Sequence, residues 1–311
     1  MGRVKARQGK TGAGRRGAPP ELKRFIALMV LPSAIVMAGV VLYPLVRTLI
    51  LSFYRIELTQ PLLGRPFVGL ANYAEVLRDP FFLQSAGRTL YFTVVSTALE
   101  VVLGLAVALL LNSEFRGKNL LKALIILPWA LPTVVNGAMW RWIFNPQYGA
   151  LNGLLKQLGL INAYRSWLGE PFLAMNMVIL ADVWKMTPLG ILLFYAALQT
   201  IPESLYESAR VDGAGTVRVF TGITLPLLMP TVLIVLVLRT IEAFKVFDII
   251  YVMTRGGPAN GTQVVAYHAY MEAFSYLRFG RGAAIAYLVS LAILVLAALY
   301  IKGLKTEDVE Y

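Results

Sequence analysis

Long, nearly uncharged stretches divide the chain into six segments with the length of membrane-crossing helices. They run over residues 25–50, 89–111, 121–144, 172–200, 220–247 and 283–302. Each supplies about 20 residues or more, which an α-helix needs to cross about 30 Å of hydrocarbon. Apolar residues occupy both odd and even positions in these segments, whereas the strands of a membrane barrel alternate apolar and polar residues. The pattern therefore predicts an all-α polytopic membrane protein whose transmembrane domain covers residues 25–302.

Composition supports this class and narrows the chemistry. Of the 311 residues, 58% are hydrophobic and only 15% are charged, whereas soluble domains carry about 25% charged residues. The chain has no cysteine and a single histidine, His268, so a disulfide and a Cys/His metal site are excluded. We expect His268 to be a half-exposed aromatic residue in an external segment. A polytopic membrane enzyme would need a cluster of catalytic residues at one membrane face, and the sequence displays none.

The positive charge predicts how the chain is oriented. Eight lysines and arginines lie in the tail 1–24, ahead of the first apolar segment, and such clusters stay in the cytoplasm. With six spans, the C-terminus 303–311 is also cytoplasmic, and the loops 112–122 and 201–219 face the same side. The net charge of +12 is thus explained by membrane topology, and we expect no nucleic-acid partner.

Ionisable residues inside the predicted spans are costly, so they indicate contacts between helices or a watery path. Glu100 stands alone in the second span, where an interhelical hydrogen bond is favoured over substrate contact. In the fourth span, Asp182 and Lys185 are three residues apart. They therefore share one helical face and can neutralise each other.

The end of the fifth span is richer in charge. Arg239 and Glu242 form one pair at a spacing of three, and Lys245 and Asp248 form another. Aromatic residues are interleaved with them: Phe244, Phe247 and Tyr251. This mixture is typical of a hydrated cavity for a polar neutral solute such as a sugar, because rings cover C–H surfaces and charged groups bond hydroxyls. The alternative is that these pairs only hold helices together.

Prolines interrupt several of the predicted spans, at Pro128, Pro132, Pro188, Pro226 and Pro230. Broken helices are tolerated where neighbours satisfy the freed backbone groups or where the segment lines a cavity. The breaks favour a transporter over a membrane anchor.

The loop 201–219 is short, polar and rich in small residues. Pro202 is placed to begin a helix, because its missing N–H costs nothing there, and Gly213 and Gly215 permit a turn after it. Four residues give this helix a face suited to close docking: Leu205, Ser208, Ala209 and Asp212. Packing within the membrane does not require such a face, so a cytosolic partner is expected.

The spacing E-x-A-x3-G-x9-I-x-L-P in this loop resembles the EAA loop of permease subunits of binding-protein-dependent ABC importers. It is met by Glu207, Ala209, Gly213, Ile223, Leu225 and Pro226. Ser208 replaces an alanine of the EAA triplet, and because serine is also small we expect docking to survive. The stretches "LPWALPTVVNGAMWRWIFNPQYGALN" and "FKVFDIIYVMTRGGP" look like the carbohydrate branch, in particular the first permease of maltose, trehalose and glycerol-phosphate importers.

The resemblance implies the fold and the assembly. It implies a type I importer permease with six spans, in a prokaryotic plasma (inner) membrane, and a transport subunit instead of an enzyme. The implied partners are a second permease, two ATPase subunits that hold ATP and Mg²⁺, and an extracytoplasmic sugar-binding protein. By position, the ATPase-coupling residues would be Glu207, Ser208, Ala209, Asp212, Gly213 and Ala214. Those of the substrate pathway would be Lys185, Leu189, Arg239, Glu242, Ala243 and Val246.

Two transport alternatives stay open at the level of sequence. An ion-coupled secondary transporter would use Asp182, Lys185, Glu242 and Asp248 to relay protons, and it would need no docking loop. A permease for glycerol 3-phosphate shares much of the sugar-permease pattern.

Overall fold

The computed structural model describes residues 20–305, so the basic tail before residue 20 and the end of the chain after 305 lie outside it. The chain divides into two compact units between Ile50 and Leu51. Helix α1 (Pro20–Met37) continues through a π-helical turn (Ala38–Leu42) into α2 (Tyr43–Ser52), and the boundary between the units falls in the last turn of α2. The resulting apolar helix coincides with the first predicted span.

The second unit contains the remaining helices. They are α3 (Ala71–Arg78), α4 (Pro80–Asn112), α5 (Lys118–Ala130), α6 (Thr133–Ile143), α7 (Ala150–Gln157), α8 (Pro171–Leu198), α9 (Glu203–Val211), α10 (Thr216–Val219), α11 (Leu225–Phe244), α12 (Asp248–Met253), α13 (Val265–Tyr270) and α14 (Phe279–Lys305). Short turns of other helical types cover Pro61–Leu63, Phe220–Thr224 and Met271–Ser275. All regular elements in residues 20–305 are therefore helical, as the sequence predicts.

Helices α4 and α8 form the centre of the second unit. The Asp79 side chain caps α4 by accepting a 2.9 Å hydrogen bond from the Phe81 amide, a common device for starting helices. Gly104 lies against the α8 backbone, since a Cβ there would meet the Gly190 carbonyl carbon at 3.5 Å. Small residues at such crossings let two membrane helices pack closely.

Five helices in the described part of the chain are long and apolar enough to cross a membrane: Arg24–Ser52, Pro80–Asn112, Pro171–Leu198, Thr216–Phe244 and Phe279–Tyr300. The predicted segment 121–144 differs, because α5 and α6 meet at an angle of 100°. Pro132 lacks an N–H and disfavours a helical conformation of the residue before it, and Leu131 is extended. The third span is thus a sharply bent pair instead of one helix.

The predicted span 220–247 also contains a break. Helix α11 ends at Phe244, and the backbone of Phe247 leaves the helical region at φ −141° before α12 begins. Residues Lys245–Phe247 therefore separate two helices. This break and the α5–α6 bend determine where the polar site forms.

Candidate functional site

A cavity of about 260 Å³ lies where the two helix breaks meet α8. The start of α6 contributes Thr133, and the break between α11 and α12 contributes a run of backbone and side chains. The lining residues are Thr133, Asp182, Lys185, Met186, Arg239, Glu242, Ala243, Lys245, Val246, Phe247, Asp248 and Ile249. Interrupted helices thus place polar groups at membrane depth, as in sites lined by broken helices.

Arg239 is the centre of a buried ion network behind this cavity. Its guanidinium donates to both carboxylate oxygens of Glu100, with Nη2 to Oε1 at 2.8 Å. The same Nη2 donates to Oδ2 of Asp182 at 3.3 Å. Arg239 and Glu100 are 2% and 1% exposed, so the network joins α11, α4 and α8 at a buried point. The interhelical hydrogen bond predicted for Glu100 is confirmed.

The ion pairs predicted from spacing within one helix are wrong. Arg239 pairs with Glu100 and Asp182 across helices instead of with Glu242. Within residues 20–305, Lys185 has no carboxylate oxygen within 4.0 Å, and its Nζ lies 3.7 Å from the Met186 sulfur. A buried ion pair is favourable only when its geometry is good and its remaining polar groups are hydrogen-bonded. Spacing along one helix does not show which groups on other helices meet these conditions.

Lys245 also pairs differently from the prediction. Its Nζ lies 2.9 Å from Oε1 of Glu242, and both side chains are about half exposed. Asp248 was predicted as its partner at helical spacing, but the helix ends between them. Because of the break, Asp248 is the first residue of α12. A carboxylate at this position is stabilised by the positive end of the helix dipole.

Most of the predicted pathway residues meet at the cavity. Lys185, Arg239, Glu242, Ala243 and Val246 line it, whereas Leu189 is not among its lining residues. Sequence reasoning missed Thr133, Met186 and Ile249. Pro132, which forces the bend, is the signal that could have pointed to Thr133, and Met186 and Ile249 have no distinguishing signal.

The chemistry of the lining suits a neutral solute with many hydroxyls. Three cations (Lys185, Arg239, Lys245) and three carboxylates (Asp182, Glu242, Asp248) line the cavity. Their formal charges cancel, and they offer both donors and acceptors.

An aromatic wall adjoins the cavity. The Phe247 ring stacks on Tyr251 with centroids 5.6 Å apart and contacts Tyr270 at 5.2 Å. Tyr267 also contacts Phe247, with centroids 6.1 Å apart, and burial is the largest cause that raises the pKa of Tyr267 above its usual range, so its hydroxyl stays protonated. The wall provides the apolar ring surface that the sequence predicts for a sugar cavity.

The predicted docking helix forms and ends at Gly213. Helix α9 starts directly after Pro202, one residue later than predicted. At its end the Ala214 amide donates to the Ala209 carbonyl at 2.9 Å and the Gly213 amide to Arg210 at 3.1 Å. These two bonds form a Schellman motif, which requires a left-handed residue, and Gly213 has φ +72°. The glycine is therefore dictated by backbone geometry.

Helix α9 lies on the surface of the unit. None of its residues is buried, and Val211 is 88% exposed. Of the predicted coupling residues, Glu207, Ser208, Asp212 and Gly213 are exposed and Ala209 and Ala214 are half-buried. The Tyr206 and Thr224 hydroxyls lie 3.3 Å apart and connect α9 to the turn before α11. An exposed helix anchored in this way suits a docking element.

The structure corrects the expectation for His268, which is only 3% exposed. Its Nδ1 lies 3.0 Å from the Gln263 amide nitrogen, and burial lowers its pKa below the ordinary value. The segment folds onto α14 and α4 instead of lying on the surface. There His268 meets Asp79 and Glu272, with ligand atoms within 4.8 Å of one another. Arg281 bonds Asp79 at 2.6 Å and lies 3.4 Å from Glu272, and Arg278 lies 3.8 Å from Glu272, so two guanidiniums balance the two carboxylates of this cluster.

Comparison with known proteins gives a family match over most of this architecture. Residues 100–304 match the family of binding-protein-dependent transport system inner membrane components. The matched region includes the cavity, the docking helix α9 and the long helix α14.

Individual relatives match over nearly their whole length. The chain is 41% identical to the trehalose/maltose transport system permease protein MalF of Thermococcus litoralis, over 88% of this chain and 92% of that one. It is 35% identical to the trehalose transport system permease protein SugA of Mycobacterium tuberculosis, over 97% and 95%. Among solved structures, a bacterial ABC transporter for alginate import has the same fold, with a TM-score of 0.81 over 93% of this chain and 98% of the other, at 21% identity.

Proposed function

The chain belongs to the family of inner membrane components of binding-protein-dependent transport systems, and on this premise we propose that it is the sugar-translocating permease subunit of an ATP-driven importer. Its substrate would be a neutral sugar of the trehalose or maltose kind. Support comes from relatives named for trehalose and maltose transport and from the cavity at the two helix breaks.

The observation that carries the proposal is the balanced charge of the cavity. Three cations face three carboxylates, and Glu100 adds a further negative charge behind Arg239. A phosphate group binds where cations are in surplus and hydrogen-bond donors converge. The cavity therefore favours a neutral sugar over glycerol 3-phosphate.

Lys185 gives the cavity a donor for such a substrate. Its ammonium carries three N–H groups, and within the described chain its hydrogen-bonding contact is the weak one to the Met186 sulfur. It is 9% exposed, so little water replaces the missing partners. Sugar hydroxyls would satisfy these donors.

The energy source would be a separate ATPase. The exposed helix α9 and its Schellman turn present Glu207 and the small residues beside it to a cytosolic subunit. In the proposed assembly a second permease completes the pathway, two ATPase subunits hold ATP and Mg²⁺, and an extracytoplasmic protein delivers the sugar. Both chain termini would be cytoplasmic, in accordance with the basic tail.

The proposed cycle couples two distant sites through rigid bodies. Closure of the ATPase pair moves the docked α9, and α11 follows because Tyr206 contacts Thr224. The helices around the cavity then open it to the outside, and hydrolysis returns it to the inside. This chain would convert motion into access and leave ATP chemistry to its partners.

Transport by the reconstituted assembly tests the proposal. The permease pair, the ATPase subunits and the binding protein are placed in proteoliposomes, and uptake of labelled trehalose, maltose and glycerol 3-phosphate is measured. We expect uptake of a disaccharide only with ATP and the binding protein. Uptake driven by an ion gradient without ATP would establish secondary transport instead, and uptake of glycerol 3-phosphate alone would contradict the assigned substrate class.

A further inference from the structure

A second concavity, of about 530 Å³, lies between the first turns of α4 and α8 and the loop after α12. We call it the interfacial groove. It is lined by Gln84, Gly87, Arg88, Tyr91, Pro171, Phe172, Met175, Ala259 and Gly261. It is separate from the sugar cavity, with which it shares no lining residue.

The groove combines apolar walls with one cation. Tyr91 and Phe172 provide ring surface with centroids 5.9 Å apart, and the Phe172 side chain is largely exposed. Arg88 is half-buried beside them. In residues 20–305 no carboxylate oxygen lies within 4.0 Å of Arg88, and its Nη2 donates at 3.1 Å to Gln84, one turn earlier on the same helix. The guanidinium therefore keeps most of its donors for a ligand.

The level of Arg88 in the membrane identifies the kind of ligand. Helix α4 has 33 residues and is about 50 Å long, so its ends project beyond about 30 Å of hydrocarbon. The apolar run of α4 begins at Thr89, immediately after Arg88. This places the guanidinium at the headgroup level, with Tyr91 and Met175 one step deeper.

Gly87 keeps the groove open. A glycine inside a helix is unfavourable relative to alanine, yet a Cβ at Gly87 would meet no atom within 4 Å. Close packing therefore does not require the glycine. Gly261, in contrast, packs directly on Pro171 and closes the groove on the loop side.

We propose that the interfacial groove is a binding site for a membrane phospholipid. The phosphodiester accepts hydrogen bonds from the Arg88 guanidinium, and one acyl chain lies over Tyr91 and Phe172. A single cation at one end of an apolar groove is complementary to an amphiphile with an anionic head and a hydrocarbon tail. Guanidinium groups suit phosphate because their donors form a planar fork.

Native mass spectrometry of the purified, delipidated transport complex tests this site with phosphatidylglycerol as the probe. The wild type is compared with Arg88→Gln, Arg88→Lys and Gly87→Leu, which fills the groove and leaves Arg88 in place. Gly87→Ala controls for the helix backbone, and Arg78→Gln, at an exposed arginine of α3, controls for loss of surface charge.

We expect Arg88→Gln and Gly87→Leu to weaken the tightest phosphatidylglycerol site about tenfold, the factor that one lost charge-assisted hydrogen bond produces. Gly87→Ala and Arg78→Gln should retain it, and Arg88→Lys should weaken it less than Arg88→Gln does, because lysine keeps the charge without the planar fork. Equal binding by the wild type, Arg88→Gln and Gly87→Leu would overturn the proposal. Displacement of the lipid by millimolar inorganic phosphate would overturn the role of the acyl chain. Loss of affinity for the extracytoplasmic binding protein, with lipid binding unchanged, would assign the groove to a protein partner instead.

Discussion

Arg239 on α11 donates two hydrogen bonds to Glu100 on α4, although 139 residues separate them. Asp182 on α8 accepts a third from the same guanidinium. Helices α4, α8 and α11 are thus joined at one buried point. The relationship explains how Glu100, Asp182 and Arg239 are tolerated inside apolar spans: their charges pair across helices.

Breaking this network should cost more stability than breaking the exposed pair beside it. We expect Glu100→Leu to destabilise the protein by about 3–5 kcal/mol, because it breaks a buried ion pair and removes two of the three hydrogen bonds of the Arg239 guanidinium. Glu242→Leu removes the half-exposed partner of Lys245 and should cost about 1 kcal/mol or less. Thermal unfolding in detergent, followed by tryptophan fluorescence, measures both.

The triple variant Glu100→Leu/Asp182→Leu/Arg239→Met completes this test. Removing all three charges leaves no desolvated ion of the network, so the triple variant should unfold at a higher temperature than Glu100→Leu alone. Equal unfolding midpoints for Glu100→Leu and Glu242→Leu would show that the buried network contributes no more to stability than the exposed pair.

A substrate role for Glu242 predicts a defect in transport without a defect in ATP hydrolysis. Replacement by alanine removes a hydroxyl acceptor and leaves the Lys245 ammonium without its partner. We expect the sugar concentration for half-maximal uptake to rise about tenfold or more, with basal ATPase activity retained. Leu189→Ala is the matched control, because Leu189 occupies a predicted pathway position but does not line the cavity. Normal uptake by Glu242→Ala, or equal losses in both variants, would contradict the assignment.

The sequence predicts the helices well because length and apolarity determine membrane spans. It also locates the docking turn, because the end of α9 needs a residue with a left-handed backbone conformation and Gly213 supplies it. It does not predict the partners of Arg239, since a pairing across 139 residues depends on how three helices pack. The i, i+3 spacing instead suggested local pairs that the structure does not form.

The helix breaks are likewise only partly predictable from the sequence. Pro128 and Pro132 mark an interruption, but the 100° angle between α5 and α6 depends on the packing of α6 against α12. The break at Lys245–Phe247 contains neither proline nor glycine, so no residue signals it. His268 was expected to be half-exposed because it lies in a predicted external segment, whereas the folded segment buries it.

Burial of His268 predicts a loss of stability on mild acidification. The folded protein holds the pKa of His268 below its ordinary value of 6.5. As the pH falls through 6.5, the unfolded chain therefore binds more protons, and the stability present above that pH is lost. His268→Gln should flatten the decrease in the unfolding midpoint between about pH 7 and pH 5.5.

Glu272 should change the stability with pH in the direction opposite to His268. Burial is the largest cause that raises its pKa above the ordinary 4.5, so the folded state binds the proton first and gains stability as the pH falls through the raised value. Glu272→Gln should therefore steepen the acid-induced loss. An unchanged pH profile in both variants would show that neither group titrates differently on unfolding.

The central claim is that α9 transmits ATP hydrolysis to the sugar cavity, and ATP-dependent uptake by variants of this helix tests it most directly. Glu207→Lys reverses the charge of an exposed docking residue, and Gly213→Pro excludes the φ of +72° and removes the amide bonded to Arg210. Ser208→Ala keeps a small side chain and serves as the control. We predict that the first two variants insert into the membrane normally and lose uptake, whereas Ser208→Ala transports like the wild type. Undiminished ATP-dependent uptake by Glu207→Lys and Gly213→Pro would contradict the account.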